Sequence, residues 1–203
     1  MNLNDQEIEA KFYICSLADI EQRLRNLGAH LIQQRTHEAN LRFDTSNGNF
    51  KREGRVLRLR RDDAIRLTYK DGSRKRDGVI LRREIEFAVS DFDSARKFIE
   101  ALGYQVVFIY EKYRSTYELD GVHIMLDEMP YGNFVEIEGE LASLKPIAEK
   151  LGLNWDAAIP TGYFALFEKV REARGLEFRD LSFENFKGIE IEAKDLKVVS
   201  ADK

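Results

Sequence analysis

Near its N-terminus the chain alternates charged and apolar residues, and this alternation restricts what the segment can form. The letters are Glu7-Ile8-Glu9-Ala10-Lys11. A β-strand sends successive side chains to opposite faces, so Glu7, Glu9 and Lys11 share one face while Ile8 and Ala10 share the other. Two carboxylates and an ammonium are costly to bury in an apolar core. Such a face lies either in solvent or in a wet cavity that holds a cation and a polyanion.

The same one-sided charging recurs in several later segments that alternate with a period of two. The charged faces are Arg58 and Arg60; Arg66, Thr68 and Lys70; Arg82, Glu84 and Glu86; Lys112 and Arg114; and Glu136 and Glu138. Asp127 ends a further strand that carries His123 and Met125. The opposite faces are mainly apolar. Clusters of guanidinium and ammonium groups are therefore predicted beside clusters of carboxylates.

Two interpretations of these faces remain open at this point. Cross-strand ion pairs are a common decoration of the solvent-facing side of an antiparallel sheet. If the sheet instead closes with its charges inside, arginine forks and lysines suit phosphate oxygens. The carboxylates would then bind a hard divalent cation such as Mg²⁺ or Mn²⁺. The pattern alone does not choose between charge outside and charge inside.

The composition excludes several classes of function. Of 203 residues, 43% are hydrophobic and 33% are charged, which provides a core for one domain and more charge than its surface needs. The net charge of -4 gives no general attraction to nucleic acid or to an anionic membrane. No apolar run reaches membrane-spanning length and no signal peptide opens the chain, so we expect a cytoplasmic protein.

Several catalytic and metal motifs are absent from the sequence. The lone Cys15 excludes a disulfide within the chain, and the three histidines lie too far apart in sequence to suggest a zinc site. There is no G-x-S-x-G elbow, P-loop or G-x-G-x-x-G turn. Nucleophilic serine or cysteine chemistry and P-loop phosphate binding are therefore poorly supported.

The order of predicted elements indicates an α+β fold. Strands are expected at 5–14, 29–44, 55–61, 66–70, 79–89, 104–118, 121–127 and 133–140, with a basic loop over 73–78. Ser16 and Asp91 are predicted to cap helices that end at Gly28 and Gly103. In the second of these helices, Phe92, Ala95, Phe98, Ile99 and Leu102 are predicted to face inward. Further helices are expected at 142–151 and 161–174. Many antiparallel strands with few helices favour a barrel or tunnel-like sheet.

Taken together, these motifs resemble the CYTH family, the triphosphate tunnel metalloenzymes. The E-x-E-x-K motif of the family is matched by Glu7, Glu9 and Lys11. Its later motifs are matched in the same order by Arg58 and Arg60, Lys70, Arg82-x-Glu84-x-Glu86, Lys112-x-Arg114, Leu126-Asp127 and Gly132-x-Phe134-Val135-Glu136-Ile137-Glu138. The match spans about residues 5–170. Within the family, the chain resembles the branch of class IV adenylate cyclases and thiamine triphosphatases.

Two local comparisons refine the resemblance. Gly162-Tyr163-Phe164 and Leu166 resemble the closing helix of the bacterial class IV adenylate cyclases. Many relatives carry a tyrosine just before Phe43-Asp44, where this chain has Leu41-Arg42. A lid or water-orienting role for that tyrosine therefore has no counterpart here. Glu190-Ile191-Glu192-Ala193-Lys194 repeats the N-terminal letters, which we interpret as coincidence or as a peripheral strand.

The resemblance implies an antiparallel eight-stranded β-barrel, or tunnel, with flanking helices and inward-pointing charges. It implies that a small-molecule triphosphate is held by Lys11, Arg58, Arg60, Lys70, Arg82, Lys112 and Arg114. It implies that Mg²⁺ or Mn²⁺ is bound or oriented by Glu7, Glu9, Asp127, Glu136 and Glu138, with Glu84 and Glu86 close by. The residues expected to act in catalysis are Glu7, Glu9, Lys11 and Lys112.

Four functions are compatible with these residues. The favoured hypothesis is metal-dependent hydrolysis of inorganic, thiamine or nucleoside triphosphate. The second is cyclisation of ATP to cyclic AMP and pyrophosphate, as in class IV adenylate cyclases. A non-catalytic polyphosphate- or nucleotide-binding module is the third, and a scaffold with a salt-bridged sheet is the fourth. Hydrolysis leads because it needs only water, whereas cyclisation needs a positioned ribose.

The resemblance divides the chain into a tunnel domain over 1–175 and a C-terminal extension of unassigned role over 176–203. No nucleic-acid or membrane partner is expected, and a homodimer is left open.

Overall fold

A computed structural model describes residues 6–202 of the chain. Its strands are β1 (Gln6–Ile14), β2 (His30–Asp44), β3 (Val56–Arg61), β4 (Ile65–Arg76), β5 (Val79–Ala88), β6 (Gln105–Leu119), β7 (Val122–Met129) and β8 (Gly132–Glu138). Its helices are α1 (Leu17–Asn26), α2 (Asn49–Glu53), α3 (Phe92–Ala101), α4 (Leu141–Lys150), α5 (Tyr163–Arg174) and α6 (Ala193–Leu196), with a short 3₁₀ helix at Trp155–Ala157. The first residue of the predicted strand at 5–14 lies outside the described residues.

The strands form one closed antiparallel barrel in the order β1-β5-β4-β3-β2-β6-β7-β8. β1 and β8 close it, with Glu9 opposite Glu138 and Lys11 opposite Glu136. Closure leaves no free sheet edge and gives the sheet an inner and an outer face. The predicted α+β fold with an eight-stranded antiparallel barrel and flanking helices is confirmed.

The main hydrophobic core lies outside the barrel, between the strands and the helices. Phe12 and Ile14 of β1 point outward and pack in one cluster with Ile20 and Leu24 of α1 and Leu144 of α4. All five side chains are at most 1% exposed. Since helices cover the apolar face of β1, its charged face points into the barrel.

The N-terminal caps predicted for two helices are present. The Ser16 hydroxyl accepts a hydrogen bond from the Asp19 amide, and the Asp91 carboxylate accepts one from the Ser94 amide. Each cap satisfies one of the amides that a helix leaves free at its first turn. Ser16 and Asp91 therefore fix the starts of α1 and α3.

The predicted inward face of α3 is wrong in part. Ile99 is buried, but Phe98 is 64% and Leu102 is 62% exposed. Phe92, Ala95 and Ile99 pack against the outer cluster of β2 and β3. Phe98 and Leu102 lie on the flank of the same apolar arc, since successive helix positions are 100° apart. The arc is wider than the surface that it covers.

The basic loop predicted over 73–78 is also wrong. β4 continues to Arg76 and pairs with β5 as far as Val79, with a register shift between Asp71 and Arg74. Asp77 and Gly78 both have positive φ and form the turn. Two left-handed residues are what a tight two-residue hairpin turn requires. The basic residues therefore lie on a hairpin arm and not on a loop.

The C-terminal segment after Gly175 packs against α5 and β6. Phe178, Leu181, Phe186 and Leu196 join a cluster with Phe167 of α5. Leu181 is held to β6 by two backbone hydrogen bonds, from its amide to the Ile109 carbonyl and from the Glu111 amide to its own carbonyl.

Residues 190–194, which repeat the letters of the N-terminal motif, do not form a peripheral strand. Residues 190–192 are irregular, and Ala193 begins α6. Among residues 6–202, no helix is long and apolar enough to cross a membrane.

Candidate active site

The barrel encloses a cavity of about 720 Å³ whose wall is dominated by charged side chains. The basic ones are Lys11, Arg42, Arg58, Arg60, Arg66, Lys70, Arg82, Lys112 and Arg114. The acidic ones are Glu7, Glu9, Glu38, Asp62, Glu84, Glu86, Glu136 and Glu138. Strand alternation brings them to one surface, so the choice left open by the sequence is resolved in favour of charge inside.

The structure brings the predicted site residues together. All of them line the cavity except Asp127, which lies just behind the wall and is fully buried. The Asp127 carboxylate contacts Lys112 at 2.8 Å and Arg114 at 2.6 Å, and both of these side chains do line the cavity. Asp127 therefore acts on the cavity through the two cations that it holds.

Glu7 is the centre of one group of ion pairs. Its carboxylate contacts the Lys70 ammonium at 2.7 Å and the Arg82 guanidinium at 2.5 Å. Arg82 also reaches Glu9 at 2.9 Å, and Lys70 reaches Glu84 at 2.9 Å. Burial by itself would raise the pKa of Glu7, but Lys70 and Arg82 outweigh it and lower that pKa to about 2. Glu7 is thus held ionised.

A second group joins β1, β6 and β8. The Lys11 ammonium lies 3.1 Å from Glu136, and Arg114 forms a short ion pair with the same carboxylate. Burial opposes ionisation of Glu136, yet Lys11, Arg114 and Lys112 lower its pKa well below the usual value. These cations therefore keep a buried carboxylate charged.

A third group lies on β2 to β6. Arg60 contacts Glu86 at 3.1 Å and Glu38 at 3.6 Å, and the Thr68 hydroxyl donates to Glu86 at 2.7 Å. Lys112 lies 3.3 Å from Glu38. Burial would raise the pKa of Glu38, but Lys112, Arg114 and Arg60 lower it to about 2. The Glu38 carboxylate on β2 therefore neutralises part of the positive charge of Arg60 and Lys112.

Glu138 differs from the other acids because it has no ion pair with a described residue. It lies opposite Glu9 across the β1–β8 pairing. Burial and the carboxylates Glu7, Glu84 and Glu9 raise its pKa to about 7, although Lys70 opposes them. Burial and Glu136 also raise the pKa of Glu9, which Arg82 offsets in part. This side of the cavity has an excess of negative charge.

The carboxylates have the right donor chemistry for a hard divalent cation, which prefers oxygen ligands. Within residues 6–202, however, no three acidic, histidine or cysteine side chains are already arranged to hold a metal ion. Glu7, Glu9, Asp127 and Glu136 are engaged by lysines and arginines instead. Glu138, which has no ion pair among residues 6–202, lies opposite Glu9, and a cation bound between them would relieve their repulsion. The residues present therefore fit a cation that binds by rearranging ion pairs.

The N-terminus of α5 contributes aromatic residues to the wall. The Tyr163 hydroxyl donates to Asp127 at 2.7 Å, and the Lys11 ammonium lies 4.0 Å from the centre of the Tyr163 ring. Phe164 also lines the cavity and packs edge-on against Phe108 at 4.7 Å. The start of α5 therefore forms part of the cavity wall, which we call the α5 end of the tunnel.

Sequence reasoning did not assign a site role to several lining residues. They are Glu38, Arg42, Asp62, Tyr110 and Tyr163. Glu38, Asn40 and Arg42 alternate along β2 and could have been found by the same period-two rule, but the long polar run from His30 hid it. Tyr163 enters from a helix end, so no strand pattern could indicate it.

Comparisons with known proteins agree with this geometry. A model of the CYTH domain matches residues 5–151, which is more than half of the chain. The chain belongs to the CYTH family. A search among curated proteins finds none that matches this chain.

Several solved structures resemble this CYTH protein. One protein from Pyrococcus horikoshii OT3 is 25% identical with a TM-score of 0.68, and the alignment covers 80% of this chain and 99% of that one. A candidate adenylate cyclase from Vibrio parahaemolyticus is 21% identical with a TM-score of 0.62, covering 73% and 85%. A candidate adenylyl cyclase from Hippeastrum, described as having a dominant triphosphatase activity, is 21% identical with a TM-score of 0.57, covering 80% and 95%.

Proposed function

We propose that this CYTH protein is a divalent-metal-dependent enzyme that hydrolyses a phosphoanhydride bond of a small-molecule triphosphate. The observation that carries the proposal is the closed barrel whose wall alternates basic and acidic groups around a cavity of about 720 Å³. A purely anion-binding wall would not need so many carboxylates. A wall of both signs suits a polyanion that enters together with a cation.

The basic side chains would hold the phosphate chain. Arg58, Arg60, Arg82 and Arg114 offer guanidinium forks that can bind pairs of phosphate oxygens, and the lysines act as point charges. In the structure each of these groups pairs with a carboxylate. The substrate phosphates would replace those carboxylates as partners, which would release the acids.

The released acids would then hold the metal ion. Glu9 and Glu138 face each other across the β1–β8 pairing and carry the local excess of negative charge. Glu7, Glu136 and Asp127 complete the proposed set. A divalent ion such as Mg²⁺ or Mn²⁺ held by these acids would neutralise phosphate charge and make a nearby water more acidic.

Lys11 and Lys112 would stabilise the negative charge that moves to the leaving group. Both ammonium groups lie over the Tyr163 ring, at 4.0 Å and 5.3 Å from its centre. Lys11 also donates to the Thr161 carbonyl at 3.2 Å. These contacts fix both ammonium groups before substrate arrives, and fixed charges stabilise a transition state better than mobile ones.

Cyclisation of ATP is the second candidate, because the cavity also has an aromatic part. Phe108 and Phe164 line it together with Val56. An adenine ring could pack on such a surface, which a bare triphosphate does not need. The Vibrio and Hippeastrum proteins are described as candidate adenylate cyclases and the latter as mainly a triphosphatase, so relatives of this fold do not separate the two reactions.

Phosphate release from inorganic triphosphate tests the main proposal. We expect turnover with Mg²⁺ or Mn²⁺ and none with a chelator, and we expect Glu9→Gln and Glu138→Gln to lose at least about 100-fold in kcat, because replacing one well-placed charged group commonly costs this much. Glu149→Gln, which changes an exposed carboxylate on α4, is the control. Full activity in both tunnel variants would contradict the assignment of the acids.

A further inference from the structure

Arg42 is exceptional among the basic residues of the cavity wall. Each of the other basic side chains there has a carboxylate within 4.0 Å. Arg42 forms no ion pair and donates no hydrogen bond to any residue in the described part of the chain, 6–202. The guanidinium carbon lies 5.5 Å from the centre of the Phe164 ring.

Asp44, the acid nearest to Arg42 in sequence, has other hydrogen-bond partners. The Asp44 carboxylate accepts hydrogen bonds from the backbone amides of Thr45, Phe50 and Lys51 at 2.7 to 2.9 Å. These bonds tie the end of β2 to the first turn of α2. Asp44 is therefore committed to the backbone and forms no ion pair with Arg42, although its charge still attracts the guanidinium. Within residues 6–202, Arg42 has no carboxylate in direct contact.

Arg42 lies at the α5 end of the tunnel, next to Phe164. In the strand register it lies opposite Arg58 on β3 and Phe108 on β6. Burial, together with repulsion from Arg58 and Arg82, lowers the pKa of Arg42, although Tyr110 and Asp44 oppose this shift. The guanidinium of Arg42 is thus repelled by two other guanidinium groups of the cavity wall.

Arg58 has spare binding capacity at the same place. Its Nε is buried and has no hydrogen-bond partner among the described residues. Its ion pair with Glu86 is long, at 3.4 Å. An arginine in a folded protein stays protonated, so an anion that contacts both guanidinium groups would lower their energy. An anion with several oxygens can reach two such groups at once.

We propose that Arg42 binds a terminal phosphate of the substrate at the α5 end of the tunnel, together with Arg58. Arg42 is then a specificity-determining residue that selects ligands presenting a free phosphate end there. The inference rests on the proposed function in that the ligand is a triphosphate. It adds the direction in which the triphosphate lies in the tunnel, with one terminal phosphate at Arg42 and the other phosphates toward Glu138.

Binding of two phosphate ligands by calorimetry tests this role without relying on turnover. Linear inorganic triphosphate has free phosphate ends, whereas cyclic trimetaphosphate has the same number of phosphorus atoms and no free end. We expect Arg42→Leu to weaken binding of linear triphosphate by about tenfold or more, which corresponds to loss of one charged hydrogen-bonding group. Binding of trimetaphosphate should change by less than about threefold.

Two further variants complete the experiment. Arg61→Leu removes an exposed guanidinium from the outer face of β3 and should leave both affinities unchanged. Arg42→Lys keeps the charge and should retain part of the affinity, and it replaces Arg42→Leu if that protein does not fold. An unchanged affinity of Arg42→Leu for linear triphosphate, or equal losses for both ligands, would overturn the proposal.

The outcome separates this inference from the proposed function. Selective loss of binding in Arg42→Leu, in a protein that releases no phosphate, would support the role of Arg42 and refute hydrolysis. Hydrolysis with unchanged binding in the variant would do the reverse.

Discussion

Single side chains in the tunnel are held in charge states that they would not adopt alone. Glu7 shows this most clearly, since it is 5% exposed and lies between the Lys70 ammonium and the Arg82 guanidinium. Burial disfavours its charge, and the two cations restore it. The wall is therefore a network in which removal of one member leaves its partners uncompensated.

Removal of the Glu7 charge should destabilise the protein. Glu7→Gln leaves Lys70 and Arg82 with one buried acid fewer, and breaking a buried pair from one side costs about 3 kcal/mol. Urea unfolding measures the change in the free energy of unfolding. Glu149→Gln, on the exposed side of α4, should differ from the wild type by less than about 0.5 kcal/mol. A Glu7→Gln protein as stable as the wild type would contradict the network.

Glu138 should make the stability of the metal-free protein depend on pH. Its folded pKa of about 7 lies above the ordinary glutamate value of 4.5, so folding favours the protonated acid. Stability is therefore highest below the unfolded pKa and falls as pH rises through the folded pKa. The pKa values of Glu7 and Glu38 are lowered to about 2, so both acids stay ionised between pH 5 and pH 8. Their contribution to stability therefore does not change over this range.

Glu138→Gln tests this prediction when unfolding is compared at pH 5 and pH 8. The variant should gain stability relative to the wild type at pH 8 by at most about 3 kcal/mol, since one pKa unit corresponds to about 1.4 kcal/mol. The gain should be smaller at pH 5. Mg²⁺ should reduce the difference if Glu138 contributes to cation binding. An equal effect of the substitution at both pH values would show that Glu138 titrates normally.

At this scale the sequence predicts the residues that alternate on regular strands. Glu7, Arg58, Glu84 and Lys112 were found because period-two patterns place them on one face. The lack of an ion pair at Arg42 within residues 6–202 could not be predicted, because it depends on Asp44 accepting hydrogen bonds from three backbone amides.

Among the secondary-structure elements, α5 and the segment behind it position the end of the tunnel. Leu166, Phe167 and Val170 of α5 are fully buried against the cluster that includes Leu181 and Phe186. The Arg174 guanidinium, in the last turn of α5, donates to Asp195 in α6 at 2.6 Å. The C-terminal segment therefore supports the helix whose first residues face the cavity.

Truncation of Leu181 should test this support. Leu181 is 0% exposed, and Leu→Ala at a buried site costs about 2 to 5 kcal/mol. We expect Leu181→Ala to lower the thermal unfolding midpoint and to weaken triphosphate binding through displacement of Tyr163. Val199→Ala, at a residue that is 64% exposed, is the control and should have little effect on either measurement. Equal unfolding midpoints and equal triphosphate affinities of the two variants would mean that the C-terminal segment does not support α5.

Helices with clear caps could be predicted, whereas irregular elements could not. Ser16 and Asp91 fixed the starts of α1 and α3 because a capping side chain is a local signal. α2 has only five residues and no side-chain cap, so it has no periodicity to detect. Phe178, Leu181 and Phe186 pack from irregular backbone, and their burial depends on α5.

For the whole molecule, barrel closure decides which face of each strand is the interior. The alternation of Glu7, Glu9 and Lys11 is the same for a solvent-facing sheet and for a tunnel. The pairing of β1 with β8 puts Lys11 opposite Glu136 inside the barrel, while Phe12 and Ile14 pack outside against α1 and α4. Such long-range pairing is not visible in any single strand, which is why the sequence pattern alone left the question open.

The most direct test of the central claim is ³¹P NMR of the products formed with Mg²⁺ or Mn²⁺, first from inorganic triphosphate and then from ATP. A metal-dependent triphosphatase should give free phosphate from at least one of the two, and Glu138→Gln should abolish the signal. Pyrophosphate with a cyclic nucleotide from ATP, and no free phosphate, would contradict hydrolysis and identify a cyclase. Tight triphosphate binding without any product would contradict an enzymatic role.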